Sequence, residues 1–324
     1  MRRVITLLAA AALVGATLTG SLGAGQPGAA AAVSPGSSPV APDPDHASSA
    51  RAAGPAVTLG QTTGPTSSCN GGPNIGAASF AAGPGTVSYE AGFDGILTSF
   101  SHNANAVAGQ VQAVVFSDGI SATQKVTVAH SARQTVALGT TNTFPMRLPI
   151  KAGQRVGLAI RANGMACSVV GVSGDSTGVT FYDPETDPSL NASPIGFVRP
   201  NVSAVLEPDA DKDGFGDVSQ DLCPQLATTQ AACPAPDVTV TKQPKKRSSK
   251  RKAKIGFTST VAGSTFTCAV DGKAATACVS PFKKRFTYGK HTVVVTATSP
   301  LGIVDPSPAV VTFKVKKPKP KPKS

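Results

Sequence analysis

Beyond an apolar opening stretch, hydrophobic positions recur with a period of two rather than 3.6. Residues 109–116 (GQVQAVVF), 143–150 (TFPMRLPI), 155–160 (RVGLAI) and 201–206 (NVSAVL) place Val, Leu, Ile or Met on alternate positions. That is the spacing of a half-buried strand. Between the second and third of these runs, 151–153 (KAG) reads as a tight hairpin or bulge. About eight to ten strands are predicted over residues 57–207, a jelly-roll-like β-sandwich. A second set, at 238–241, 253–258, 264–270, 285–288, 291–297 and 309–315, is rich in β-branched and aromatic residues. About seven strands over 236–316 suit an immunoglobulin-like β-sandwich. No later window sustains a helical period over three turns, so the predicted fold class is all-β.

Composition agrees with this pattern and narrows the function. Only 15% of residues are charged, while Gly numbers 33, Pro 27 and Trp none. A soluble helix bundle needs far more Glu and Lys on its wet faces. The charge is also divided. Residues 1–236 carry 11 basic and 15 acidic side chains, for −4, and residues 237–324 carry 19 and 3, for +16. Such asymmetry predicts separate domains and an anionic partner for the basic one.

Arg2 and Arg3, followed by the apolar run 4–18 and a stretch of small residues, predict an export signal over 1–32, cleaved between Ala24 and Ala32. Residues 33–56, mostly Pro, Ala and Ser, read as a disordered or extended spacer. No other stretch is long and apolar enough to cross a bilayer. A secreted or wall-associated destination suits the six cysteines, Cys69, Cys167, Cys223, Cys233, Cys268 and Cys278. They allow about fifteen connectivities. Two pairs are ten residues apart and the remaining two bracket one strand-rich region, which suggests one bridge per module: 69–167, 223–233 and 268–278.

The most informative segment joins the two β regions. In 209–224 (DADKDGFGDVSQDLCP) carboxylates stand at loop positions 1, 3, 5, 9 and 13, with Gly at 6. Calcium takes six to eight oxygens, and alternate carboxylates wrapped about one point by a glycine turn supply them. A solvated acidic linker is the plainer alternative, but it does not require DxDxDG spacing. The stretch resembles the thrombospondin type 3 repeat and, more loosely, EF-hand and dockerin loops. The resemblance implies calcium held by Asp209, Asp211 and Asp213, with Phe215 at the position that contributes a backbone carbonyl. Position 12, an acid in those families, is Gln220 here, so Asp217 or Asp221 has to complete the shell. The implied role for 208–235 is a calcium-stiffened connector without catalysis.

The second β region carries STFTCAVDG at 264–272, YGKHTVVVTATSPLG at 288–302 and VDPSPA at 304–309. These resemble the bacterial Ig-like modules of secreted multi-domain surface proteins, in which two cysteines staple neighbouring strands. The tryptophan-centred core of antibody domains is missing. Two basic runs belong to this half: 245–254 (KKRSSKRKAK) and the tail from Lys314, whose last stretch, 317–324, alternates Lys with Pro in an extended form. Anionic cell-wall polymer or glycan is the expected partner, with a merely solubilising face as the plain alternative. Sequence-specific nucleic-acid readout is not expected, because no aromatics are interleaved with the lysines.

Enzyme signatures fail on inspection. His130 and 174–178 (GDSTG) have the flavour of a serine protease, but no acid stands between His130 and the motif to orient the imidazole, and Thr177 replaces the needed second Gly. HExxH is absent, and no GxSxG stands at a strand end, where a hydrolase places its nucleophile. The four histidines are scattered over a linker and separate strands. Asp183, Glu185 and Asp187 offer a paired-carboxylate or second calcium site, or simply a solvated loop. The expectation is a monomeric, exported, non-enzymatic calcium-binding surface or adhesion-type protein. The alternatives are a secreted carbohydrate-binding module, disfavoured by the lack of an aromatic platform, and a hydrolase hidden in the first β region.

Overall fold

The computed structural model describes residues 54–318 apart from Thr86. The predicted export signal, most of the spacer and positions 319–324 of the tail lie outside the described residues. The described chain is all-β. The first β region contains β1 (Val57–Gln61), β2 (Thr66–Ser68), β3 (Ile75–Ala81), β4 (Gly95–Asn103), β5 (Gln110–Asp118), β6 (Gln124–His130), β7 (Gln134–Thr135) and β8 (Thr141–Ile150). It continues with β9 (Arg155–Arg161), β10 (Ala166–Val170), β11 (Ser176–Phe181), β12 (Ser189–Asn191), β13 (Pro194–Gly196), β14 (Val198–Pro200) and β15 (Val202–Glu207). These fifteen strands exceed the eight to ten expected, because β2, β7, β12, β13 and β14 are two or three residues long, too short to display a period.

Two main sheets form this sandwich. One runs β1-β15-β4-β8; the larger runs β12-β6-β5-β9-β3-β11-β13, with β7 beside β5. Three further short partners, β14-β10-β2, form a small sheet. Leu97, Phe100, Leu148, Val202 and Leu206 from the smaller main sheet meet Val111, Val115, Val156, Leu158 and Ile160 from the larger one in a single core. The larger sheet is apolar on its other face too, where Val114, Phe116 and Ala159 pack under Tyr182, Leu190 and Ala192. Thus β5 and β9 are buried on both faces rather than half-buried, and the cover is the 182–192 segment laid across them.

The 151–153 turn corrects a second expectation. Lys151 O accepts from Gln154 N at 3.0 Å and Gly153 takes φ 83°, so the turn is tight. It does not close a hairpin, however, because β8 belongs to one sheet and β9 to the other. Turn chemistry marks where a chain reverses, and long-range pairing decides which sheet it rejoins. The 174–178 stretch likewise proves architectural. Asp175 is 2% exposed and Arg199 6%. The Asp175 carboxylate accepts from Arg199 Nε at 2.5 Å and from the backbone N–H groups of Gly83 and Val172 at 2.6 Å each.

The second β region is a separate sandwich with eight strands rather than seven: β16 (Val238–Lys242), β17 (Arg247–Ser248), β18 (Lys252–Ser259), β19 (Thr265–Val270), β20 (Thr276–Cys278), β21 (Phe282–Arg285), β22 (Gly289–Thr298) and β23 (Ala309–Val315). Sheet β16-β18-β21 faces sheet β17-β23-β22-β19-β20. The strand expected at 285–288 lies earlier, at β21, because Phe286 leaves the ladder and turns into the core edge-on to Phe313, with ring centroids 4.9 Å apart. In place of a tryptophan, Phe257, Phe286, Phe313 and Ile255 fill the centre with Val293, Val295 and Val311. The bridges 69–167, 223–233 and 268–278 all form. The last joins the paired neighbours β19 and β20, as the Ig-like resemblance implied.

His291 is satisfied within this core: Nδ1 lies 2.8 Å from the Asp271 carboxylate and Nε2 3.0 Å from Thr287 O. Burial alone lowers its pKa, but the Asp271 hydrogen bond, the Thr287 carbonyl and the Asp271 charge more than offset that, so the net shift is upward. For Asp271 burial acts upward, and the bonds from His291 and Thr292 turn the net shift downward.

Two outcomes are expected. Asp175→Ala strands the buried Arg199 charge and should destabilise the protein by about 3–5 kcal/mol in denaturant melts. The His291–Asp271 contribution should be full between about pH 4 and 6.5, fading above as the raised His291 pKa is crossed and below as the lowered Asp271 pKa is crossed. Thermal melts of wild type and His291→Gln across pH check this: only wild type should show the decline above neutrality.

Candidate metal centre

The chain leaves β15 through Glu207 and Pro208 directly into the acidic loop. Side-chain hydrogen bonds to successive backbone N–H groups shape that loop, as short carboxylates do in Asx-type turns. Asp209 accepts from Asp213 N and Gly214 N at 3.1 Å each; Asp211 accepts from Asp213 N at 3.3 Å; Asp213 accepts from Phe215 N at 2.8 Å. Lys212 and Gly214 take positive φ, 61° and 87°, which turns the chain back on itself and makes the glycine at position 6 a backbone requirement.

The loop brings one oxygen from each of Asp209, Asp211 and Asp213 within 4.8 Å of one another. The other predicted ligands lie differently. Asp217 accepts from Ala210 N through both oxygens, at 3.3 and 3.1 Å, and Asp221 accepts from Cys223 N at 2.7 Å. Phe215 places its ring against the Arg147 guanidinium, 4.1 Å from the ring centroid. Gln220, at the departing position 12, is a latch: Nε2 donates to Met146 O at 3.0 Å and Oε1 accepts from Gly216 N at 3.3 Å.

None of these five aspartates has an ion-pair partner among the described residues. Two of their oxygens, Asp211 Oδ2 and Asp221 Oδ2, are buried without a hydrogen bond. Burial and then the neighbouring Asp213 charge raise the Asp211 pKa. Burial chiefly, with Asp209, Asp211 and Asp221 adding to it, pushes Asp217 up to about 6. Buried polar atoms are ordinarily paired, so the unpartnered oxygens of Asp211 and Asp221 are an exception in a cluster of like charges. The donor set is all oxygen, as hard divalent ions require.

Pattern reading missed the anchor, Glu207. It is 2% exposed and accepts from Val218 N, Ser219 N, Ser219 Oγ and Thr98 Oγ1 at 2.7–3.0 Å. Burial raises its pKa, but these bonds bring the net shift down. The sole sequence cue was a charged residue closing an apolar strand. With Met146 and Arg147 on β8 and Thr98 on β4, Glu207 fastens the loop onto the first sandwich. The 223–233 bridge and the Gln230 bond to Asp213, at 2.8 Å, hold its far side.

The remaining sequence candidates do not converge. His130 on β6 and Ser176 on β11 are four strand positions apart in one sheet, about 19 Å at about 4.8 Å per step. Asp183 and Glu185 are ion-paired with Arg161 and Arg133, and Asp187 accepts from Asp183 N at 2.7 Å. That cluster is a partly exposed ion-paired network over the larger sheet, with three acids to two arginines. The basic run at 245–254 is partly strand, supplying β17 and the start of β18, and the tail's first lysine, Lys314, sits in β23.

No family model matches the chain, and no curated protein is similar to it. Among solved structures it is similar to the fibronectin(III)-like modules of Clostridium thermocellum CbhA, at 14% identity over 70% of this chain and 88% of that one, with TM-score 0.22. It is also similar to a beta-1,2-glucanase from Parabacteroides distasonis, at 10% identity over 71% of this chain, with TM-score 0.20; the match covers 29% of the glucanase. At these TM-scores neither likeness decides fold or activity; the strands and registers above define the fold.

Glu207→Gln should lower stability by about 1–3 kcal/mol, since the buried amide satisfies fewer of the four donors. Hydrogen exchange should accelerate at Val218 and Ser219, while amides in β22 and β23 remain protected.

Proposed function

We infer that this is an exported, non-enzymatic surface protein of the adhesion type, in which calcium stiffens the segment after the first sandwich and the basic half docks on anionic envelope polymer. The observation that carries the reading is the convergence of Asp209, Asp211 and Asp213 within 4.8 Å, with no ion-paired cation among the described residues and with a buried, unpartnered oxygen on Asp211. Calcium would be held by these three carboxylates, with Asp217, Asp221 and the Phe215 carbonyl as the further donors implied by the thrombospondin type 3 resemblance. Bound there, the ion supplies charge neutralisation and a common coordination centre, not chemistry on a substrate. Glu207 and Gln220 orient the loop, and Gly214 permits the turn. Export is supported by the N-terminal charge and hydropathy pattern and by three disulfide bridges.

Calorimetric titration of calcium should give binding heat with wild type and little with Asp211→Ala. Because binding to the folded state alone stabilises it by about 2.7 kcal/mol at a ligand concentration of 100 times Kd, saturating calcium should also raise the wild-type melting temperature. Absence of heat and of any thermal shift in wild type would overturn the reading.

A further inference from the structure

The basic half arranges its cations in a way that composition does not require. β18 pairs antiparallel with β21 in the register Lys252 to Arg285 and Lys254 to Lys283. Two like-charge pairs therefore stand directly opposite each other, with Cβ separations of about 5 Å, an arrangement that destabilises a ladder unless an anion lies between them. Ala253 and Ile255, the alternate residues of β18, point into the core, so Lys252 and Lys254 project outward together, about 6.7 Å apart along the strand.

This ladder forms the wall of a depression of about 340 Å3. A second depression, of about 630 Å3, shares Lys252 and Lys254 with it and extends past Lys245, Ser248 and Lys250 to Arg247. A third, of about 580 Å3, shares Arg247 and continues along Lys314, Lys316 and Lys317. Shared walls make the three one continuous cationic track. No Asp or Glu lines it. Among the described residues none of its Lys or Arg side chains is ion-paired, and the acids of this sandwich are engaged elsewhere, Asp271 with His291 and Asp305 with the N–H groups of Val238 and Ser307.

We propose that this track binds a linear polyol-phosphate polymer, with successive phosphodiesters seated between the Lys252–Arg285 and Lys254–Lys283 pairs and onward past Arg247 to Lys314. The inference deepens the proposed docking of the basic half on anionic polymer and rests on it. Several features select the phosphodiester class. Lysines predominate, and an ammonium binds phosphate oxygens as a point charge, while Arg247 and Arg285 add forks that match phosphate bidentately. The track offers little platform for sugar rings or nucleobases: Phe313 is 4% exposed, and the one exposed ring lining it, Tyr288, already carries the Arg251 guanidinium 5.1 Å from its centroid. A short, ringless polyol places successive phosphates at intervals comparable with the 252-to-254 spacing.

The test uses the full chain and poly(glycerol phosphate) in a polarisation or calorimetric assay, with and without EDTA. Lys252→Gln/Lys254→Gln should weaken binding about tenfold or more and reduce the slope of log K against log salt by roughly 1.5–2. Lys151→Gln/Lys273→Gln, which removes the same charge away from the track, should change binding less than about twofold. Both doubles are surface changes whose folding is checked by thermal melts. Equal weakening by the two doubles overturns the track while leaving general electrostatic docking standing. Tighter binding to a polyuronate or to oligo(dT) than to the polyol phosphate overturns the phosphodiester class. Failure to bind any of the three polyanions overturns the docking reading itself. Binding that survives EDTA separates the track from the aspartate loop; loss in EDTA overturns the assignment to Lys252 and Lys254.

Discussion

Mutual repulsion among Asp209, Asp211, Asp213, Asp217 and Asp221 is the constraint around which the middle of the molecule is organised. At several other sites an acid meets a cationic or titrating partner: Asp175 has Arg199, Asp183 has Arg161, and Asp271 has His291. In the loop after β15 no aspartate does, among the described residues. The carboxylates are held together by backbone N–H groups and by the anchors Glu207 and Gln220, none of which carries positive charge. Hydrogen bonds from neutral donors thus concentrate negative charge that no cationic side chain compensates among the described residues, which is the imbalance that the proposed calcium would remove. The anchors run to β4, β8 and β15, so the ion would rigidify a cap on the first sandwich as well as the segment that leaves it.

The second sandwich shows the opposite imbalance. Its cations line depressions without carboxylates, and its few acids are committed to caps and to His291. The two regions therefore carry complementary, internally unsatisfied charge of different kinds. In the loop the charge is concentrated and partly buried, which favours a compact hard ion. On the track it is distributed and exposed, which favours an extended polyanion and makes ionic strength the controlling variable.

How much of this was legible beforehand divides along a physical line. Period-two alternation located β5, β8, β9 and β15 closely, because each strand has a face in a core that selects apolar residues. Cysteine spacing gave all three bridges. The DxDxDG spacing gave the loop, since position-specific turn chemistry is local. What escaped was non-local. The partner of a strand across the 151–153 turn, the burial of β5 on both faces under 182–192, and the anchoring of the loop by Glu207 all depend on residues distant in sequence. Gln220, which looked like a defect at a ligand position, is explained only when its bond to Met146 on β8 is seen. The displaced β21 shows aromatic content mistaken for pairing, because Phe286 serves the core and not the ladder.

The absence of tryptophan bears on both sandwiches in different ways. In the second, three phenylalanines and His291 occupy the centre, and the histidine is tolerated there because Asp271 and Thr287 satisfy both ring nitrogens. Burying a polar ring costs little once each nitrogen has a partner, so the core acquires a titrating group without an orphaned one. In the first sandwich, Phe116 and Tyr182 meet at 5.6 Å on the outer face of the larger sheet, where the 182–192 segment covers them. That covering segment puts aromatic surface of this sheet into packing rather than presenting it to a sugar. Phe181 and Phe197, 67% and 63% exposed, stay outside this packing, so the cover withdraws the Phe116–Tyr182 pair and not every ring of the sandwich from solvent.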